Sequence, residues 1–218
     1  MTNYTFYIPP PCNEAVEILY ADEDLLVVSK PAGLLSVPGR IVKDSVLLRM
    51  RAEYPDVAIV HRLDLDTSGL LVLSLSQRAS SDLNRQFRER VIDKEYVALV
   101  DGLVAEDTGE VELPIASDPD NRSRQVIDEE NGRSALTRFQ VLTREDNCTR
   151  LQLVPVTGRS HQLRIHMAAV GHPILGCDLY ATENAFQRAD RLLLHAVRLG
   201  FCHPGSGERL EFESNSPF

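Results

Sequence analysis

Asp64 stands in the run His61-Arg62-Leu63-Asp64-Leu65-Asp66-Thr67-Ser68-Gly69, between two apolar stretches that read as buried strands, Ala58 to Val60 and Leu70 to Leu75. Thr67-Ser68-Gly69 supplies turn chemistry, so the carboxylate sits on a loop held by a rigid scaffold. A carboxylate in such a place loses water, which raises its pKa unless a cation stands close. With a cation beside it, Asp64 stays ionised and can serve as a nucleophile or a base. Arg62 is near in sequence, but residues two apart share a face only where the loop is straight. Arg164 is the better partner: it lies on a helix whose flanks are apolar, where a long cation reaches for a carboxylate instead of bulk water.

Plainer readings compete with this one. Asp64 to Gly69 matches the opening of a calcium loop, but position twelve is Leu75 where a bidentate glutamate is needed. Asp64 or Asp66 can also simply bond backbone N–H groups and tie down a turn, as most loop aspartates do. A hydrolase built on Asp64 or Ser160 lacks both a G-x-S-x-G elbow and a second placed carboxylate. His161 and His166 diverge on a helix, and Cys12, Cys148, Cys177 and Cys202 form no C-x-x-C, so no metal site is expected and the thiols read as reduced and structural.

The elements that must position Asp64 follow from periodicity. Asp24 to Lys30 is a nearly continuous apolar strand that delivers Lys30 at its end, before Pro31-Ala32-Gly33. Ser45 to Tyr54 reads as a helix stopped by Pro55. Ser80 caps a second helix running to about Arg90, with Leu83, Phe87 and Val91 as its buried stripe and Arg78, Arg85 and Arg88 as a basic ridge opposite. Lys94 to Val100 and Gly109 to Leu113 are strands, and Ser117 to Arg124 is a polar loop with arginines at its far end. Ala135 to Val141 and Cys148 to Val154 alternate as an antiparallel pair. Ser160 caps a helix from His161 to Val170 with Leu163, Met167 and Val170 facing the core, a short helix lies around Glu183 to Arg188, and Arg191 to Ala196 and Glu208 to Phe212 are closing strands.

At 218 residues and 43% hydrophobic content, the chain can bury a full core as one compact unit. The start has no basic, apolar leader and no run of 18 apolar residues occurs, so a cytoplasmic protein without a membrane partner is expected. The net charge of −9 argues against a protein that coats nucleic acid non-specifically. Any polyanion must meet a local basic patch.

With His61-Arg62-Leu63-Asp64 followed by Thr67-Ser68-Gly69-Leu70, the chain resembles the RluA-type pseudouridine synthases. Lys30 to Ser36, Lys94-Glu95-Tyr96, Gly158 to His166, Gly171 to Gly176 and Leu192 to Ala196 match further blocks of that family in order, over about residues 17 to 205. The resemblance implies an α+β fold: a mixed, mainly antiparallel bent sheet with flanking helices and a central cleft. It implies residues 1–16 as an extension and 17–218 as a single catalytic domain, without the separate N-terminal RNA-binding domain of larger relatives.

By the same resemblance the reaction turns uridine into pseudouridine with no cofactor. Asp64 is the catalytic aspartate, Arg164 its paired arginine, and Tyr96 the ring that stacks on uracil and a candidate base for the C5 proton. His61 and Arg62 wedge into the space a flipped base leaves. The chain looks most like the small members that modify both large-subunit ribosomal RNA and transfer RNA. A protein with few phosphate contacts has little binding energy to open paired RNA, so the expected substrates are loops on short stems, the anticodon arm included. Arg85, Arg88, Arg122 and Arg124 are expected to grip the phosphates, with the protein acting as a monomer.

Overall fold

The computed structural model describes residues 8–121 and 123–218, and in it the two runs that flank Asp64 are hydrogen-bonded to each other. The chain begins with β1 (Glu17–Ala21), β2 (Leu25–Lys30), α1 (Val46–Arg51) and β3 (Ala58–Ile59). The Asp64 loop leads into β4 (Ser68–Ser74), buried along its whole length, which explains an apolar run without alternation. There follow α2 (Gln77–Glu89), β5 (Asp93–Asp101), β6 (Thr108–Glu112) and a small hairpin of β7 (Ile115–Ser117) and β8 (Gln125–Ile127). The long antiparallel pair β9 (Leu136–Glu145) and β10 (Cys148–Pro155) leads to α3 (Gln162–Ala169), α4 (Glu183–Gln187), β11 (Leu194–Cys202) and β12 (Arg209–Glu213).

All these strands except β7 and β8 form one sheet in the order β1-β2-β4-β11-β5-β10-β9-β6, with β3 beside β4 and β12 beside β11. Every pairing is antiparallel except β4 with β11, which is parallel and only two residue pairs long, Ser68 with His195 and Gly69 with Ala196. The sheet is therefore mixed and mainly antiparallel, and the fold is α+β. Bulges in β1, β9 and β11 break the register and bend the strands. One core gathers β2, β4, α1 and Phe201; another gathers β5, β10 and α3. The short parallel junction lies between them. It needs Gly69: at φ +109° a Cβ there would stand 2.3 Å from the Ala196 carbonyl oxygen.

Several boundaries differ from the sequence reading. α2 begins a turn earlier, capped by Ser76, whose Oγ accepts the Ala79 N–H at 3.1 Å, and Ser80 lies inside it. Its inner face is Ala79, Leu83 and Gln86, while Val91 lies past the left-handed C-cap Arg90 and is exposed. Gln86 can be buried because its amide is spent on the Cys202 backbone and Asp82. α3 starts after His161, and Ser160 does not cap it. The side chain of Gln162 reaches back instead, accepting the Arg159 N–H at 3.0 Å. α3 is buried nearly all round, and Val170 lies exposed beyond its end. Cys202 is exposed, so not every thiol is a core residue. The strands β1, β7 and β8 were not foreseen: short, half-exposed strands carry too few apolar positions for a period to register. Among the described residues no helix is long and apolar enough to cross a membrane.

Candidate active site

The sheet register brings the Asp64 loop to Tyr96. Gly69 of β4 pairs with Ala196 of β11, Ala196 with Tyr96 of β5, and Tyr96 with Leu153 of β10, so one row runs from the end of the loop across to the tyrosine. The loop is fastened from behind. Ser36 Oγ donates to the Leu63 carbonyl and accepts the Leu63 N–H. Lys30, with none of its surface exposed, donates its three ammonium hydrogens to the carbonyls of Pro31, Leu34 and Leu65 at 2.9, 2.6 and 2.8 Å. Burial lowers its pKa to about 7, against the opposing pull of Asp66 and Asp64.

Asp64 opens onto a cleft of about 1010 Å³, with 26% of its side chain exposed. Its Oδ1 lies 4.0 Å from His161 Nε2 and its Oδ2 lies 3.9 Å from Arg164 Nη1. Arg164 is 4% exposed and shared: Nη2 lies 2.5 Å from Asp178 Oδ1, Nε and Nη2 reach Cys177 Sγ at 3.4 and 3.3 Å, and Cζ stands 5.4 Å from the centre of the Tyr180 ring. Burial works against its charge, but Cys177, Asp64 and Asp178 outweigh that and hold it cationic. Asp66 does not line the cleft, and burial followed by the charge of Asp178 raises its pKa. Of the two loop carboxylates, Asp64 is the one presented to a ligand.

Tyr96 lines the cleft, with Val60, Leu63, Leu163 and Leu194 as apolar neighbours. Burial, then the negative charge of Asp64, pushes its phenol above the usual tyrosine range and keeps it neutral. A cleft with a tyrosine ring and apolar side chains in part of its wall and a carboxylate opening onto it suits a planar heterocycle attached to a sugar.

The residues expected to hold a polyanion are placed less uniformly. His61 does not project as a wedge: its Nε2 accepts the Val72 N–H at 3.1 Å and its ring stacks 4.5 Å from Phe87. Burial lowers its pKa to about 3, so it is a neutral fastener between the loop, β4 and α2. Arg62 is exposed at the mouth, 3.3 Å from Ser160 Oγ. Arg85 corrects the expected basic ridge, since Asp82 and Glu89 neutralise it at 2.5 and 2.8 Å and it does not line the cleft; Arg78 is likewise paired, with Asp24. Arg88 does line the cleft, Arg124 lies over the Tyr180 ring, and Arg122 lies outside the described residues.

The sequence reading missed a cluster drawn from four segments: Arg90 at the end of α2, Lys94 on β5, Arg133 before β9 and Arg159 before α3. Among the described residues none of the four has a carboxylate partner. Burial, then Arg133 and Arg90, lowers the pKa of Arg159, and burial followed by Arg90 lowers that of Lys94. Such mutual repulsion inside a cleft is relieved by an anion. Asp178 was also missed, two residues beyond the Gly171 to Gly176 block; an acid next to a buried apolar segment was its only signal. Among the described residues no three His, Cys, Asp or Glu side chains converge as a metal site.

Comparison with known proteins agrees with this geometry. The family described as RNA pseudouridylate synthase matches residues 24–169. The chain is 47% identical over 221 residues to the dual-specificity RNA pseudouridine synthase RluA of Escherichia coli strain K12, covering 100% of this chain and 99% of that protein. It is 47% identical over 208 residues to the protein of the same name from Vibrio cholerae, covering 94% and 83%. Among solved structures, human RNA pseudouridylate synthase domain containing 1 superposes with a TM-score of 0.83 at 30% identity, covering 97% of this chain and 87% of that one.

Proposed function

Because the chain belongs to the RNA pseudouridylate synthase family, we propose that Asp64 is its reactive carboxylate, with Arg164 and Tyr96 completing the catalytic group. The enzyme is an RNA pseudouridine synthase. Its reaction breaks the bond from C1′ to N1 of a uridine, turns the base, joins C5 to C1′, and moves one proton from C5 to N1. Nothing is oxidised and no group is gained.

The observation that carries this reading is the cleft itself: Asp64 and Tyr96 line it together, with the buried Arg164 guanidinium 3.9 Å from the carboxylate. Arg164 gives the carboxylate a buried, permanently charged partner. Tyr96 is first a platform on which the uracil stacks. As a neutral phenol with a raised pKa it accepts the C5 proton only while passing its own proton on, and the Asp64 carboxylate is the charged neighbour that can receive it. Arg62, at the exposed mouth, takes the space of the flipped nucleotide, while His61 holds the loop.

Arg88, with Arg90, Lys94, Arg133 and Arg159, grips the phosphates, and Arg124 adds a contact from the β7–β8 hairpin. On this reading a protein of net charge −9 meets RNA through a local basic patch, the cations that line the cleft. The substrates are uridines in loops of large-subunit ribosomal RNA and of the transfer RNA anticodon arm. Supporting this are full-length similarity to an enzyme named for dual specificity and a cleft suited to an unpaired base. On the same reading residues 17–218 are one catalytic domain with 1–16 as an extension, and the protein acts as a monomer in the cytoplasm where those RNAs reside.

Incubation with uridine-containing stem-loops tests the reading. Pseudouridine is expected from the wild type and none from Asp64→Asn, with RNA affinity kept within a few-fold. Free uracil would mark a glycosidase instead, unchanged RNA a binder, and an equal loss of binding in the variant a structural turn.

A further inference from the structure

Tyr180 has no place in the reaction described above, yet several elements meet on it. Its Oη accepts the Gln125 backbone N–H at 2.8 Å, at the start of β8, and lies 2.7 Å from His161 Nδ1. Its ring lies near two guanidiniums, Arg124 at 5.5 Å and Arg164 at 5.4 Å from Cζ to the ring centre. His161 holds a left-handed backbone at φ +55°, a conformation that costs a non-glycine residue about 1 kcal/mol and is kept where surrounding structure enforces it. Gln162 enforces it here, its amide fastened to Thr157, Arg159, Leu136 and Thr137. The far nitrogen of His161 faces Asp64 Oδ1.

The donors favour one placement of the protons. A backbone N–H only donates, so Tyr180 Oη is an acceptor toward Gln125. Among the described residues the phenolic hydrogen then has one acceptor, His161 Nδ1. Burial, helped by Arg164 and Arg62, keeps the His161 pKa below the usual histidine value against the pull of Asp64 and Asp178, so the ring is neutral at pH 7. A neutral imidazole that accepts at Nδ1 carries its hydrogen on Nε2. That hydrogen is aimed at Asp64.

We infer that His161 is a positioning residue for Asp64, presenting Nε2–H to the carboxylate in a tautomer favoured by the Gln125 amide through the Tyr180 hydroxyl. The inference rests on Asp64 being the reactive carboxylate. At 4.0 Å the contact is longer than a hydrogen bond, and such contacts commonly tighten when substrate fills a site. With Arg164 Nη1 3.9 Å from Oδ2 and His161 Nε2 4.0 Å from Oδ1, each oxygen faces one donor, which favours one orientation of the carboxylate toward the cleft. The relay also joins the β7–β8 hairpin to the reacting group.

Nitrogen-15 NMR of the histidine-labelled enzyme reads the tautomer directly. The wild type is expected to show His161 protonated at Nε2 and bare at Nδ1, and Tyr180→Phe to show mixed tautomers. In single-turnover reactions on a stem-loop, Tyr180→Phe and His161→Phe should be slower by about tenfold, the worth of one hydrogen bond to a charged group, with RNA affinity unchanged. His161→Gln, which restores an N–H donor, should recover part of the rate. A wild-type proton on Nδ1, or a Tyr180→Phe enzyme as fast as the wild type, overturns the inference. Asp64→Asn measured alongside separates the two readings. Turnover by that variant removes Asp64 and the relay together, whereas an inert Asp64→Asn beside an unimpaired Tyr180→Phe removes the relay alone.

Discussion

Arg164 donates to Asp178 at 2.5 Å while standing 3.9 Å from Asp64, so the buried guanidinium is anchored by a carboxylate outside the Asp64 loop. Asp178 is 43% exposed and Arg164 4%, an arrangement in which the anchor is hydrated and the working group is dry. Arg164 is thereby preorganised: its position does not depend on Asp64 remaining charged during the reaction.

Asp178→Asn should therefore lower the single-turnover rate on a stem-loop by about tenfold with little change in RNA affinity, because a charge-assisted anchor is replaced by a neutral one. Arg164→Met should cost more than the ~1 kcal/mol of an exposed pair in urea unfolding, since it strips Asp64 and Asp178 of their shared cation. Equal rates in wild type and Asp178→Asn would show that Cys177 and Tyr180 suffice to hold the guanidinium.

The cleft cations are separable from the helix cations by salt. Arg133→Gln combined with Arg159→Gln should reduce the slope of log K against log salt by about 1.4, since each phosphate contact to single-stranded RNA contributes roughly 0.7. Arg85→Gln should leave the slope where it was, because Asp82 and Glu89 already neutralise that side chain. Filter binding or fluorescence anisotropy across a salt series checks both, and a loss of slope in Arg85→Gln would return the basic ridge of α2 to the RNA interface.

Lys30 should reveal itself in alkaline stability. Its folded pKa of about 7 lies below the unfolded value, so between roughly pH 7 and 10.5 the unfolded chain binds a proton that the folded one does not. Stability from this group then rises with pH through that window, by about 1.4 kcal/mol per unit. Lys30→Met should remove that slope in urea unfolding, and should slow catalysis as well by releasing the Leu65 carbonyl that holds the Asp64 loop.

His195 works at the acid side. It is 4% exposed, lies between Ser68 Oγ at 2.7 Å and Ser214 Oγ at 3.0 Å, and burial followed by Arg191 lowers its pKa to about 4. Below pH 6.5 the unfolded chain takes up a proton that folded His195 refuses, so stability falls as pH drops toward 4. At pH 5 the loss from this group is about 2 kcal/mol. Thermal melts at pH 7 and 5 should show a smaller difference in His195→Gln than in the wild type.

Much of this protein is legible along the chain. The apolar run from Leu25 to Val28, the run from Leu70 to Leu73 and the alternation around β9 and β10 place strands because burial on one or two faces writes a local pattern. Asp64 is singled out by the contiguous His61 to Gly69 run that carries the family resemblance, since an acid on a loop between two strands more often just ties down a turn. The blocks around Tyr96 and Arg164 could be matched because each is contiguous.

What the chain could not announce is anything assembled from distant segments or decided by competition between partners. Arg85 and Arg88 look alike in sequence, yet Arg85 is cancelled by the acids three residues before and four after it while Arg88 is left in the cleft. Arg90, Lys94, Arg133 and Arg159 become one basic site only when the ends of α2 and β5 face the loops before β9 and α3. Asp178 and Tyr180 meet Arg164 and His161 across 14 and 19 residues of chain. His61, next to Arg62 in the loop, turns inward because the Val72 amide and the Phe87 ring satisfy it there. Periodicity reports which side of an element is buried. The choice of partner for a charge or a ring nitrogen depends on which groups the tertiary fold brings within about 3 Å, and on the cost of leaving any of them unpaired out of water.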